Sequence, residues 1–265
     1  MPYQRTFSTL GCAALSLHES LALAARHGLD GVELRAAGGT VDLPAYLGKT
    51  CGTPAEFARV VRASGVRIVT IDTSLRIARD DPAARDEFLA FVPWAEALGV
   101  PWLRVFDGEA ATENPGEHDA TATLRWWRDL RRQRGWRVDC IVETHDSLLN
   151  AAAINRFLAA APGTKILWDT HHTWRRGGED PLATWRAIAP HVAHLHVKDS
   201  IARPGEGPAF DYVAPGTGEF PMAPLAEVLR REYSGAVSLE WERLWHPELP
   251  PLDVALESAA ARAWW

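Results

Sequence analysis

Eight short apolar runs alternate with eight helical stretches along 265 residues, and this alternation predicts an α/β fold, a single (β/α)8 TIM barrel spanning 1–265. Two further observations agree. The length is close to the roughly 250 residues that such a barrel takes. The first strand-to-helix turn, STLGCAALS, holds one glycine and no Gly-x-Gly-x-x-Gly, which argues against a doubly wound sheet built around a dinucleotide.

The elements follow in order. A strand at about 6–12 (TFSTLGC) leads into SLHESLALAARHG, a helix that stops on Gly28. The next strand is 31–35 (GVELR). The helix TPAEFARVVRASG has Thr53 as N-cap, Pro54 in its first turn, Glu56 closing a capping box and Gly65 as its stop. After the strand at 67–73 (RIVTIDT), Asp81 and Pro82 open a helix that ends at Gly99, and Pro93 inside it is expected to kink or split it. The strand at 102–107 (WLRVFD) precedes ATLRWWRDLRRQRG. That basic, tryptophan-rich stretch reads as an outer helix with Leu124, Trp127 and Leu130 packed inward and arginines in solvent. The strands at 139–143 (DCIVE), 165–169 (KILWD), 192–197 (VAHLHV) and 236–241 (AVSLEW) are separated by SLLNAAAINRFLAAAPG, DPLATWRAIAP and APLAEVLRREYSG. LDVALESAAARAWW closes the chain. The longest irregular stretches, 107–119 and 199–220, are expected to carry function or cover a site.

Composition narrows the function classes. A hydrophobic fraction of 47% supports a sizeable core, and a net charge of −6 offers no electrostatic footprint for nucleic acid. The three cysteines, Cys12, Cys51 and Cys140, form no Cys-x-x-Cys, so neither a disulfide framework nor a cysteine zinc site is expected. No apolar run of about 18 residues and no signal-length N-terminal stretch occurs, so a cytoplasmic protein without membrane association is expected. Among the twelve tryptophans, Trp174, Trp241 and Trp245 lie close enough to strand ends to wall a pocket.

Four apolar runs end on polar residues: Glu143, Asp169, His196 and Glu240. A lone acidic residue at a strand end is commonly a solvated loop residue or a helix cap. Four on consecutive strands are different, because inward charges at one end of a barrel repel unless a cation sits among them. Strand alternation puts Ile141 with Glu143, Leu167 with Asp169 and His171, His194 with His196 and Lys198, and Ser238 with Glu240 and Glu242. Three carboxylates and one imidazole suit a single divalent ion, Mn²⁺ first, with Mg²⁺, Co²⁺ or Zn²⁺ as alternatives. His194 lies one layer deeper and reads as a hydrogen-bonded core residue. Glu33 and Arg35, ending the second strand, read as rim residues.

The stretches Val142-Glu143-Thr144-His145-Asp146, Trp168-Asp169-Thr170-His171-His172 and His194-Leu195-His196-Val197-Lys198-Asp199, with the loop Pro215-Gly216-Thr217-Gly218-Glu219-Phe220-Pro221, resemble the xylose isomerase-like TIM barrels. This is the sugar phosphate isomerase/epimerase superfamily, which includes ketose 3-epimerases, inosose dehydratases, hydroxypyruvate isomerases and AP endonucleases. The resemblance covers nearly the whole chain, with its specific motifs between 139 and 242. It implies metal ligation by Glu143, Asp169, His196 and Glu240. It further implies that Glu143 and Glu240 move a proton on opposite faces of a substrate held as an enediolate. His172 is expected to bond the substrate or a ligating group, and His145, Lys198 and Arg203 are further candidates for substrate binding.

Within that superfamily, the AP-endonuclease branch needs extra histidines that Asp72-Thr73-Ser74, Phe106-Asp107-Gly108 and Phe210-Asp211-Tyr212-Val213 do not supply. Xylose isomerases proper are longer and bind two metals. The expected function is therefore a metal-dependent sugar isomerase or epimerase. A lyase or dehydratase acting on a keto-sugar or inosose stands as the alternative. A non-catalytic sugar-binding barrel or subunit is the reading from another class. The expected partner is a small sugar, keto-sugar or cyclitol, and the terminal Ala263-Trp264-Trp265 is expected to bury either at the interface of a homo-oligomer or against the barrel.

Overall fold

A computed structural model describes residues 3–79, 81–108, 120–203, 205 and 209–265. Eight parallel strands close into a barrel: β1 (Gln4–Ser8), β2 (Gly31–Leu34), β3 (Arg67–Arg76), β4 (Trp102–Phe106), β5 (Asp139–Glu143), β6 (Lys165–Asp169), β7 (Val192–Val197) and β10 (Ala236–Leu239). They follow one another around the ring in chain order, with β10 closing against β1. The fold is the expected (β/α)8 barrel.

Strand parity divides the interior. Cys140, Val142, Ile166, Trp168, Leu195, Val197, Val237 and Leu239 belong to the apolar layer shared with the helices. Residues of the other parity, such as Ile141, Leu167, His194, His196 and Ser238, are equally buried but stand outside that layer, on the barrel axis. Outside the strands, Phe88 meets Trp127 edge-on, and Trp168 stacks on Trp185 at 24°. Leu124 and Trp127 are buried, Leu130 is half-buried, and Arg125, Arg132 and Arg134 face solvent, so the basic helix at Ala120–Arg134 is an outer barrel helix.

The structure departs from the expected pattern in four places. The first strand ends at Ser8, and Thr9–Cys12 turn as a 3₁₀ helix. Between β2 and β3 an additional helix, Leu43–Thr50, precedes the expected one at Pro54–Ser64. It forms because the Asp42 side chain caps Ala45 N and Pro44 sits in the first turn. Pro93 does not split its helix, which runs through Pro82–Leu98. The stretch after β7 contains an antiparallel hairpin, β8 (Ser200–Ala202) and β9 (Phe210–Tyr212). Of the long stretch expected at 107–119, positions 109–119 lie outside the described residues. Cys12, Cys51 and Cys140 are free thiols. Among the described residues no helix is long and apolar enough to cross a membrane.

Candidate metal centre and active site

The register aligns the ends of adjacent strands: Asp169 pairs with His196, and His196 pairs with Ser238, two residues before Glu240. Glu143, Asp169, His196 and Glu240 thereby bring one potential ligand atom each to within 4.8 Å of one another, and all four are buried. His196 Nδ1 lies 3.2 Å from Glu240 Oε2, 3.5 Å from Glu143 Oε1 and 3.9 Å from Asp169 Oδ2.

Three buried atoms of this quartet lack a hydrogen-bond partner: Glu143 Oε2, Asp169 Oδ2 and His196 Nδ1. Cations stand near the two oxygens, Arg104 Nε at 3.2 Å from Glu143 Oε2 and Lys198 Nζ at 2.9 Å from Asp169 Oδ2, without completing aligned hydrogen bonds. Orphaned buried polar atoms are costly. Three of them, converging from three strands with a fourth ligand beside them, fit a divalent ion.

The surroundings orient these side chains. His196 Nε2 donates to Glu33 Oε2 at 2.8 Å, so its Nδ1 lone pair is the one aimed at the carboxylates. Glu33 is fully buried on β2, and His194 Nε2 lies 2.7 Å from the same oxygen. Asp169 Oδ1 accepts from His171 N and His172 N, each at 2.9 Å, which caps the π-helical turn His172–Arg176 and leaves Oδ2 for the centre. Lys198 Nζ contacts Asp169, Glu240 and Glu242 and is fully buried. On the far side, Asp72 and Arg104 face each other in the β3–β4 register, and Arg104 also donates to Thr73 O.

Ionisation follows from these contacts. Burial opposes the charge on Glu240, but His196 and Lys198 outweigh it and hold the carboxyl well below its ordinary range. Arg104 and His196 likewise outweigh burial at Glu143 and lower its pKa. For Asp169 burial wins over Lys198 and moves the carboxyl from 3.8 to about 6. Burial opposes a charge on His196, yet Glu240 and Glu33 raise its pKa well above that of free imidazole. A metal ion at Nδ1 would replace that proton.

A cavity opens above the centre. Glu143 and Glu240 line it, as do His145, His172, Arg35 and Arg104, with Leu10, Phe106, Glu242 and Trp245 completing the wall. Asp169 and His196 do not line it. His172 Nδ1 donates to Thr144 O at 3.1 Å, leaving Nε2 as an acceptor. Burial, then the Lys198 charge, keep its pKa well below the ordinary value, so the ring is neutral. His145 stacks edge-on against His172. Its loop is held by Asp107, whose carboxylate accepts from the N–H groups of His145, Asp146, Ser147 and Leu148.

A model of the xylose isomerase-like TIM barrel matches residues 21–263. The chain belongs to that family. No curated protein matches it. Solved structures share the fold at low identity. The IOLI protein, solved with a bound zinc atom, aligns with a TM-score of 0.77 at 18% identity, over 98% of this chain and 96% of the other. The probable 3-DHS dehydratase AsbF of Bacillus anthracis gives 0.74 at 19% identity, over 98% and 99%. The 3-keto-D-glucoside 4-epimerase YcjR of E. coli gives 0.69 at 14% identity, over 98% and 99%.

Within this family barrel the sequence-derived candidates divide. Glu143, Asp169, His196 and Glu240 come together, and His145 and His172 reach the cavity wall. Lys198 sits behind the wall, occupied by its three carboxylates. Arg203 lies on the hairpin, paired with Asp211, and does not reach the cavity. His171 turns away because the strand ends at Asp169 and its alternation stops there; its Nε2 meets Ser200 Oγ beneath Phe210. Trp241 is core, with Nε1 donating to Pro250 O, and Trp174 packs on Phe220; only Trp245 of the three lines the cavity. The sequence reading missed Arg104 and Asp72. The available signal was a charged residue in mid-run on adjacent strands, which burial obliges to pair. Asp199 explains another part of the motif: it accepts from Ser200 N, Gly216 N, Gly218 N and Phe220 N. A Cβ on Gly218 would stand 2.3 Å from its Oδ1, and Gly216 has φ +80°.

Proposed function

We propose that the protein is a divalent-metal-dependent isomerase or epimerase of a sugar, keto-sugar or cyclitol, working by proton transfer at the carbon next to a carbonyl. The observation that carries this reading is the split within the quartet: Glu143 and Glu240 are both potential ligands and cavity wall, whereas Asp169 and His196 are ligands alone. A dication held by these four residues, Mn²⁺ first among the candidates, supplies Lewis-acid stabilisation of charge developing on a substrate oxygen.

The chain supplies the rest. One glutamate removes the α-proton and later releases it to solvent, while the other, having taken a proton from solvent, gives it to the neighbouring carbon or to the opposite face. Both are held ionised by His196 with Arg104 or Lys198, so either is competent as a base. Lys198 fixes Glu240 in place, while His172 Nε2 accepts a hydrogen bond from a substrate hydroxyl.

A lyase reading shares the first step and differs in the second. His145 favours it: the ring borders the cavity, and Asp146 and Glu143 raise its pKa against the opposing effect of burial. Protonated His145 would give its proton to a departing β-oxygen, yielding water and the unsaturated product.

The test is solvent deuterium incorporation into a bound ketose by the metal-loaded protein and by Glu143→Gln and Glu240→Gln. Loss of exchange by about 10²-fold or more in at least one variant is expected. Full exchange in both would end the two-carboxylate mechanism, and absence of exchange in the unmodified protein for every ketose, inosose and 3-keto-glycoside tried would favour a non-catalytic barrel.

A further inference from the structure

Among the described residues, the cations at the mouth of the barrel are matched by carboxylates, Arg35 excepted. Arg104 contacts Asp72 at 3.3 Å and Glu143 at 3.2 Å, and Lys198 contacts three carboxylates. Arg35 follows β2 directly, where its backbone N donates to Thr9 Oγ1 at 2.9 Å. Its side chain is buried, with 5% of the residue exposed, and borders the cavity together with Arg104, Glu143 and Glu240. Nη2 donates to Ser74 Oγ at 3.1 Å. Nη1 has no hydrogen-bond partner, and Arg35 forms no ion pair among the described residues. Burial first, then the like charge of Arg104, bring its pKa down to about 10, which leaves it cationic at neutral pH.

A buried guanidinium facing a cavity with an idle donor is an unfavourable arrangement for the empty protein. The partner that relieves it is an anionic oxygen, because a guanidinium presents forked donors that match carboxylate and phosphate oxygens. Serine alone cannot neutralise the charge, and although Asp72, Glu143 and Glu240 attract Arg35 through space, none of them forms an ion pair with it among the described residues.

We infer that Arg35 binds an anionic oxygen group, a carboxylate or a phosphate, carried by the substrate, so that the substrate class is an acidic or phosphorylated sugar or cyclitol rather than a neutral one. This rests on the proposal that the cavity above the quartet is the substrate site. Arg35 then anchors one end of the substrate while its carbonyl end lies towards Glu143 and Glu240.

Matched probes separate charge from shape. Isothermal titration of the metal-loaded protein compares gluconate with sorbitol, fructose 6-phosphate with fructose, and quinate with myo-inositol. A charge-assisted hydrogen bond predicts that at least one acidic member binds about tenfold or more tightly than its neutral partner. Arg35→Gln is expected to erase that preference, and Arg35→Lys to retain part of it, with metal stoichiometry unchanged in both. A melting curve on each variant reports folding, and the Lys variant carries the test if the Gln variant fails to fold. The inference is overturned if no acidic probe outbinds its neutral partner, or if the preference persists in Arg35→Gln, which would assign it to the metal. Carboxylate and phosphate are distinguished by which pair shows the preference. Deuterium exchange dependent on Glu143 and Glu240 reads a different quantity, so the proposed reaction can stand while the anion site falls, and the reverse.

Discussion

The two halves of the barrel do different work with similar residues. β5, β6, β7 and the end of β10 deliver Glu143, Asp169, His196 and Glu240, whose potential ligand atoms lie within 4.8 Å of one another, three of them without a hydrogen-bond partner. β2, β3 and β4 deliver Glu33, Asp72 and Arg104, whose charged atoms mostly point at other protein groups. The second half gathers the potential ligands of the proposed ion site, and the first half orients them. Glu33 shows the dependence most directly: it lies on the first half of the chain, yet it selects which imidazole nitrogen of His196 faces the quartet.

Breaking the buried charge network of the second half has the largest expected effect. Lys198→Met leaves Asp169, Glu240 and Glu242 buried without their cation, which costs about 3–5 kcal/mol in the metal-free protein. Thermal or urea unfolding measures it, and added metal should recover part of the loss. Unchanged stability would mean that the carboxylates are neutral in the absence of metal.

The first half is probed through Glu33. Glu33→Gln keeps the shape but weakens the orientation of His196, so metal affinity should fall by about 10–100-fold. Titration calorimetry reads the affinity, and the NMR tautomer signature of His196 reads the cause. An intact affinity would reduce Glu33 to a packing residue.

A smaller effect comes from pH. Burial raises Asp169 from 3.8 to about 6, so below pH 6 a metal ion must displace its proton. Affinity should fall by about tenfold per unit as pH drops below 6, from this group alone. The metal-free fold should respond in the opposite sense. A raised folded-state pKa means the folded chain holds more protons than the unfolded chain between about 4 and 6, so this group's contribution to stability declines as pH rises through that window. Metal titrations and melts across pH 4.5–7.5 check both signs.

The smallest effect is expected at Arg203. It is exposed and paired with Asp211 on the hairpin, so Arg203→Ala should alter turnover by less than about twofold. A tenfold loss would mean that the hairpin folds over the cavity during the reaction.

The same division explains what could be read in the sequence. The barrel was legible because strand runs and helix caps such as Thr53 with Gly65 act locally. The quartet was legible because its members stand at run ends, where a polar residue interrupts an apolar pattern. Arg104 sits between Leu103 and Val105, and Asp72 follows Ile71; a charge inside a buried run is meaningful only once the β3–β4 register sets the two face to face. The hairpin at Ser200–Tyr212 was missed because three-residue strands are too short for a periodic signal. Arg203 and His171 were misplaced in space for a related reason: beyond the last ladder bond, alternation no longer says where a side chain points.

Everything proposed for the site depends on Glu143, Asp169, His196 and Glu240 holding one divalent ion. Titration of metal-free protein with Mn²⁺, Co²⁺ and Zn²⁺, read by calorimetry and by metal analysis after gel filtration, tests it most directly when paired with His196→Gln. One equivalent of at least one of these ions per chain is expected, with proton release on binding and an affinity lowered by about 10²-fold or more in the variant. Failure of all three ions to bind stoichiometrically, or binding of equal strength in His196→Gln, would contradict it.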